Sequence, residues 1–373
     1  MRLNINQQAL FALVKAGLWE QDARLSQFDG IDFSEVMRLA EEQSVVGLVT
    51  AGLEHVADVK VPQEKLLQFI GQSLQLEQQN KEMNNFVASL IESMRRVGIY
   101  TLLLKGQGVA QCYEKPLWRS CGDVDLFLSD DNYNKAKDYL KPMATRVENE
   151  RSRDKHLGMT IDNWVVEIHG RLYCGLSSRI EKELDKVYKE TFFGGNVRSW
   201  SNGYVQVFLL DAKDDAFYVF THILQHFYRG GIGLRQICDW CRLLWRYHSK
   251  LDLHALETRI RKAGLMSEWR AFGALAVEYL GMPIEAMPFY SPDNKWKGKA
   301  DRICAFIMEV GNLGHNSDKS YFEKYPYFVR KAISFGRRIG GLYRHSRIFP
   351  MDSVRFLPRM VFNGVQSAVR GEG

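Results

Sequence analysis

The chain has 373 residues, enough for two or three domains with an ample core. Apolar residues make up 46% and charged residues 25%, as in an ordinary soluble globular protein, and no apolar run approaches the roughly 18 residues that a membrane-spanning helix needs. The net charge of +6 is uneven: residues 324–373 carry ten Lys and Arg against Asp352 and Glu372, whereas 1–323 comes to −2, so the basicity belongs to the C-terminal tail and not to the whole molecule.

In chain order, residues 1–21 are interrupted by Asn4, Asn6, Gln7, Gln8 and Lys15 and lack the apolar core and cleavage site of a signal peptide. With six scattered cysteines, read as reduced thiols, this predicts a cytoplasmic protein. Phe11, Leu13, Val14 and Leu18, then Val36, Leu39, Val45, Val46 and Leu48, recur at helical spacing over 5–57. Pro62 starts a long helix towards Arg96, and Gly98 ends it. From residue 99 the pattern changes. Residues 100–104 read as a buried strand, 107–113 as a short helix and 123–128 as a second strand. Asp130 or Asp131 is expected to cap a helix running to Leu140. Short strands follow at 146–148, 157–161 and 164–171, with Asp162-Asn163 as a tight turn between the last two. Asp211, with Asp214 and Asp215 in the first turn, opens a helical remainder predicted at 213–228, 233–248, 252–264, 267–281, 295–310, 322–340 and 352–368. The break at Arg229-Gly230-Gly231-Ile232-Gly233 separates the first two of these helices. The expected fold is α+β: a small mixed sheet core at 98–210, an N-terminal helical region at 1–97, a helical domain at 211–320 and a basic amphipathic tail at 321–373.

The chemistry-bearing residues cluster in the core. On a strand, Asp123 and Asp125 share one face while Val124, Leu126 and Leu128 point into a core. Two carboxylates so placed repel each other unless a cation lies between them, and Mg²⁺ suits oxygen ligands. Glu167 and His169 share a face in the same way, with Trp164, Val166 and Ile168 on the other. A sheet holding both strands brings Glu167 beside the two aspartates, and three carboxylates are the set that two-metal phosphoryl chemistry requires. An isolated Asp-x-Asp is commonly a solvated strand end. Here it is preceded by Lys105-Gly106 at the end of an apolar run and followed by Glu167-x-His169 on another, which favours metal binding. Glu167 could instead pair with an arginine across strands. Lys105 reads as a phosphate ligand or as a strand-end lysine, and Gly106 as a turn offering backbone N–H groups to phosphates. Arg119 either clamps a triphosphate or pairs with a carboxylate. His169 is a catalytic neighbour or a hydrogen-bonded strand residue. His222 and His226 share a helix face and line a cleft or pack inside. Cys238 and Cys241 lie within a helix with no second Cys pair, which reads as burial and not as zinc binding. Residues 311–316, rich in Gly and Asn, read as a loop.

Leu104-Lys105-Gly106, a spacer containing Tyr113, then Arg119, Gly122-Asp123-Val124-Asp125-Leu126 and Glu167-x-His169 resemble the bacterial "uncharacterised nucleotidyltransferase" family of the DNA polymerase β-like nucleotidyltransferase superfamily. His222-x-x-x-His226 and Leu234-Arg235-Gln236-x-x-Asp239 extend the resemblance, which runs from about Thr101 to Leu243. The superfamily's usual Gly-Gly or Gly-Ser turn is Lys105-Gly106 here, as is usual in this family, and lysine binds phosphate as a point charge. The spacing from Gly106 to Asp123 exceeds the superfamily's minimal pattern. The resemblance implies transfer of a nucleoside monophosphate from ATP or another NTP to a hydroxyl acceptor that it does not name. It implies Mg²⁺ or Mn²⁺ as cofactor and Asp123, Asp125 and Glu167 as catalytic metal ligands. Lys105, Gly106, Arg119 and His169 would hold the nucleotide. The competing expectation is a nucleotide-binding or interaction module that docks a partner through its helical regions.

In the tail, Phe328, Ile333, Phe335, Ile339 and Leu342 alternate with Arg330, Lys331, Arg337, Arg338 and Arg344. Such a helix packs on its own domain, or docks on an anionic membrane surface or a protein partner, ahead of nucleic acid.

Overall fold

The computed structural model of the chain describes residues 3–151, 154–312 and 343–369, with Val329, Gly340 and Gly341. Helix α1 (Ile5–Trp19) starts in a capping box: Asn4 accepts from the Gln7 amide at 2.8 Å, and Gln7 accepts from the Asn4 amide at 3.1 Å. Helices α2 (Phe33–Glu42), α3 (Val46–Leu53) and α4 (Gln63–Arg96) follow, and α4 ends at Gly98, whose φ is +74°.

The α+β core begins with β1 (Leu102–Leu104), α5 (Gly106–Ala110), β2 (Asp123–Phe127) and α6 (Asp130–Leu140). Ser129, and not Asp130 or Asp131, caps α6 by accepting from the Asn132 amide. The two aspartates lie in the first turn, where the helix dipole favours negative charge. The strands β3 (Arg146–Val147), β4 (His156–Ile161) and β5 (Trp164–His169) match the expected run. Asp162 and Asn163 have φ of +49° and +75°, the two positive values that a tight hairpin turn needs.

Three further elements were not anticipated: α7 (Ser178–Phe192), β6 (Val197–Asn202) and β7 (Val205–Leu210). Their signals are in the chain. Ile180, Leu184, Val187 and Thr191 are buried at helical spacing, and Gly203, at φ +60°, turns β6 into β7. The helical remainder follows as α8 (Ala212–Arg229), α9 (Leu234–Tyr247), α10 (Leu253–Ala263), α11 (Met266–Leu280) and α12 (Asn294–Val310), with a last helix at Pro350–Val369.

The strands form one mixed sheet of order β3-β4-β5-β2-β1-β7-β6. β2 is central, antiparallel to β1 and parallel to β5. One face carries Leu103, Val124, Leu126, Val166, Ile168 and Val207, packed under Val87, Ile91 and Met94 of α4 and Tyr133, Ala136 and Leu140 of α6. The other face, with Leu102, Leu104 and Phe127, joins a larger core shared by the N-terminal helices, α7–α12 and Ile348, Phe349 and Phe356. Phe328, Phe335, Ile339 and Leu342, on which the tail reading rests, lie outside the described residues. Among the described residues, no helix is long and apolar enough to cross a membrane. Cys238 and Cys241 are fully buried in α9, in line with the packing role read from sequence.

The loop before β2 is gripped from the N-terminal side. On α4, Asn80 donates to the carbonyls of Leu117 and Arg119 at 2.7 and 2.8 Å, and Glu77 accepts from the Trp118 indole at 2.9 Å. On α3, Gly47 lies so close that a Cβ there would overlap the Trp118 carbonyl. Gly47→Ala should therefore lower stability by about 1–3 kcal/mol through overpacking, read as a lower urea midpoint with an unchanged m-value.

Candidate active site

β1 gives way after Leu104 to Lys105, whose φ of +48° is uncommon for a residue with a side chain, and Gly106 continues the turn at +39°. Backbone held this way stores strain that surrounding contacts must offset. One such contact is the Lys105 ammonium, 3.2 Å from Asp125 Oδ2. Gly106 sits at the rim, where a Cβ would come within 3.5 Å of the Asp123 carbonyl.

Parallel pairing of β2 and β5 sets Asp125 opposite Glu167 and Phe127 opposite His169. Because alternate residues share a face, Asp123, Asp125 and Glu167 emerge together, with one carboxylate oxygen of each lying within 4.8 Å of the others. Asp123 is exposed at the mouth, Asp125 is buried and Glu167 is intermediate. Asp125's charge, and then burial, push the Asp123 carboxyl above its usual range. Burial opposes charge on Asp125, but Lys105 and a hydrogen bond from His169 outweigh it and hold that carboxyl low. The Lys105 pKa is raised: burial works against its charge, and Asp125 more than compensates.

His169 Nε2 lies 2.9 Å from Asp125 Oδ1 and 3.5 Å from Glu167 Oε2. Burial lowers its pKa, but the two carboxylates win and leave it raised. His156, which was not singled out from sequence, pairs opposite His169 across the β4–β5 hairpin, and its Nε2 is 2.9 Å from Glu167 Oε2. Arg151 Nε donates to His156 Nδ1 at 3.3 Å, so Nε2 carries the proton and donates to Glu167. His156, Glu167 and His169 also lie within ligand distance of one another, but this donor direction makes His156 a support for the Glu167 carboxylate. Both histidines help to hold Glu167 ionised, well below the usual carboxylate range, against the opposing effect of burial.

Arg119 is buried and committed. Its Nε and Nη2 meet the two carboxylate oxygens of Asp239 on α9, each at 2.7 Å, and Tyr113 donates to the same carboxylate at 2.7 Å. Of the two roles open for Arg119 from sequence, the carboxylate pair is the one the structure shows. The pair ties the loop before Asp123 to the helical remainder.

α8 and α9 face the carboxylates across a cleft of about 320 Å³, lined among others by Lys105, Asp123, Glu167, Tyr218, His222 and Arg235. His222 and His226 put their Nε2 atoms 3.0 Å apart, so one donates and the other accepts. Burial, then Lys105, lowers both pKa values, to about 4 for His226. Both line the cleft, which is one of the two placements the sequence left open for them.

An oxygen-only set of three carboxylates on rigid strands, two of them in mutual repulsion, fits a hard divalent cation such as Mg²⁺. The sheet and this acidic cleft define an α+β protein with a candidate divalent-cation site. A family model described as "uncharacterised nucleotidyltransferase" matches residues 29–281, and the chain belongs to that family. The matched stretch contains every cleft residue named above. No curated protein and no solved structure matches the chain. The family's description gives nucleotidyl transfer as its general activity.

The Arg119–Asp239 pair has a testable energetic role. Asp239→Ala leaves a buried guanidinium unpaired and should cost about 3–5 kcal/mol of stability. Asp239 is depressed in the folded state: burial opposes its charge, but Arg119 outweighs it. Its contribution is therefore full above its ordinary value of 3.8 and is lost as pH falls through the folded value. Denaturation of wild type and Asp239→Asn between pH 7 and about 3 should show the gap in stability narrowing with acid.

Proposed function

We propose that this protein transfers a nucleoside monophosphate from an NTP to a hydroxyl acceptor by a two-metal mechanism, on the fold of the DNA polymerase β-like superfamily. The observation that carries this reading is the convergence of Asp123, Asp125 and Glu167 on one face of the sheet, beside the Lys105-Gly106 turn. Asp123, Asp125 and Glu167 would hold Mg²⁺ or Mn²⁺. Bound there, these ions supply charge neutralisation for the triphosphate and a lowered pKa for the acceptor hydroxyl.

The chain's own groups supply the rest. Lys105 and Gly106 hold the phosphates at the rim. The Lys105 ammonium, 3.2 Å from Asp125, would offer a point charge to phosphate oxygens beside the metal site. His156 and His169 keep Glu167 ionised and oriented, so that it needs no rearrangement when the substrates arrive. α8 and α9 supply the wall of the cleft that faces the carboxylates. The acceptor oxygen forms a bond to the α-phosphorus, the bond from that phosphorus to the β-phosphate oxygen breaks, pyrophosphate leaves, and the hydroxyl proton passes to solvent.

Replacing both aspartates tests the reading. Asp123→Asn with Asp125→Asn keeps volume and shape but removes two charges. It should abolish metal-dependent NTP binding in calorimetry and reduce pyrophosphate release about a thousandfold or more, with the far-UV spectrum unchanged. Undiminished metal-dependent nucleotide affinity in the double variant would sink the proposal.

A further inference from the structure

Lys105 is the obvious cation at the phosphate end of the cleft, and Arg119 is spent on Asp239. A further basic group lines the same cleft. Arg235 is in the first turn of α9, one turn before Asp239 and so on the same face. It lines the cleft together with Asp123 and Gly106. Its Nη1 donates to the Ser120 carbonyl at 2.8 Å, which pins the side chain over the loop leading into β2.

The rest of the guanidinium is unused. Nε is buried without an acceptor, and Nη2 has no hydrogen-bond partner among the described residues. Nε is too deeply buried for a ligand to reach, so Nη2 is the donor left to meet a phosphate oxygen in the cleft. Other cleft cations have partners: Lys105 meets Asp125 at 3.2 Å, Arg119 meets Asp239 at 2.7 Å, Arg171 meets Asp185 at 2.8 Å, and Arg151 donates to His156 Nδ1 at 3.3 Å. Arg235 has no carboxylate within ion-pair distance among the described residues. A half-buried guanidinium with no carboxylate partner carries a desolvation cost that an anion at its accessible Nη2 would offset. Arg235 also acts on Asp123 electrostatically. Asp125 and burial raise that carboxyl, while Lys105 and then Arg235 pull it down. Arg235, Asp123 and Glu167 line one cleft, so an anion at Arg235 would lie beside the acidic cluster.

We propose that Arg235 binds a phosphate group of the nucleotide through its free Nη2. This rests on the nucleotidyl-transfer reading of the same site.

Inorganic tripolyphosphate with saturating Mg²⁺ is the probe, titrated into the full chain by calorimetry. Arg235→Gln should weaken tripolyphosphate binding about tenfold or more, while the Mn²⁺ affinity of the carboxylates does not fall. Arg171→Gln, which removes a guanidinium already paired with Asp185, should stay within about twofold of wild type. Tripolyphosphate affinity within about twofold of wild type in Arg235→Gln overturns the inference. So does a parallel loss of Mn²⁺ affinity, because Arg235 would then serve only to hold the Ser120 loop. If Arg235→Gln does not fold, wild type decides: tripolyphosphate should protect Arg235 from phenylglyoxal in a mass-spectrometric footprint, and equal modification with and without it overturns the assignment. Wild type that binds Mg²⁺–ATP while Arg235 stays unprotected removes this inference alone. Wild type that binds neither Mg²⁺–ATP nor tripolyphosphate removes the proposed function as well.

Discussion

Parallel pairing of β2 with β5, in the register that sets Asp125 opposite Glu167, is the constraint on which the cleft rests. The side-chain period of a strand is two, so a slip of one residue would turn Glu167 and His169 into the core and Val166 and Ile168 out of it. The apolar face prevents that slip. Val124, Leu126, Val166 and Ile168 are essentially inaccessible beneath α4 and α6, and exposing them would cost far more than any polar contact on the other face returns. The acidic cluster is thus held in place by the hydrophobic side of its own strands.

Such a cluster is unfavourable in itself, and the neighbouring groups are arranged to tolerate it. Lys105 sits in a strained backbone conformation with its ammonium at Asp125, and His169 bridges Asp125 and Glu167. These partners keep Asp125 and Glu167 ionised despite burial, while Asp123, the most exposed of the three, carries the repulsion. A site built this way keeps two of its three carboxylates charged despite burial.

The helical remainder contributes a wall and an anchor. α9 reaches the loop before β2 through the Arg119–Asp239 pair and the Arg235–Ser120 hydrogen bond, while α3 and α4 hold the same loop from the opposite side through Gly47, Asn80 and Glu77. Residues distant in sequence therefore fix the segment that delivers Asp123. The N-terminal helices and the helices after the sheet share one core, so the sheet is seated between them.

How much of this was legible before folding depended on the range of the interaction. The Asp123–Asp125 face, the Glu167–His169 face and the Lys105-Gly106 turn follow from local periodicity, since alternation needs only a strand. His156 could have been found: counting back from the Asp162-Asn163 turn pairs it with His169, an inference that hairpin register permits. α7 and the β6–β7 hairpin also carried ordinary local signals. Parallel pairing of β2 with β5 did not, because parallel strands are joined by long connections whose geometry no short motif encodes. Nor did the choice of partner for Arg119. A guanidinium in a loop suits a phosphate or a carboxylate equally, and only the packing of α9 brought Asp239 to it and left Arg235 with no carboxylate partner among the described residues. The sequence by itself determined which residues carry charge and which face of each strand they occupy, because those follow from backbone geometry. Tertiary structure alone decided which charges meet, because that depends on contacts between segments more than a hundred residues apart, as with Arg119 and Asp239.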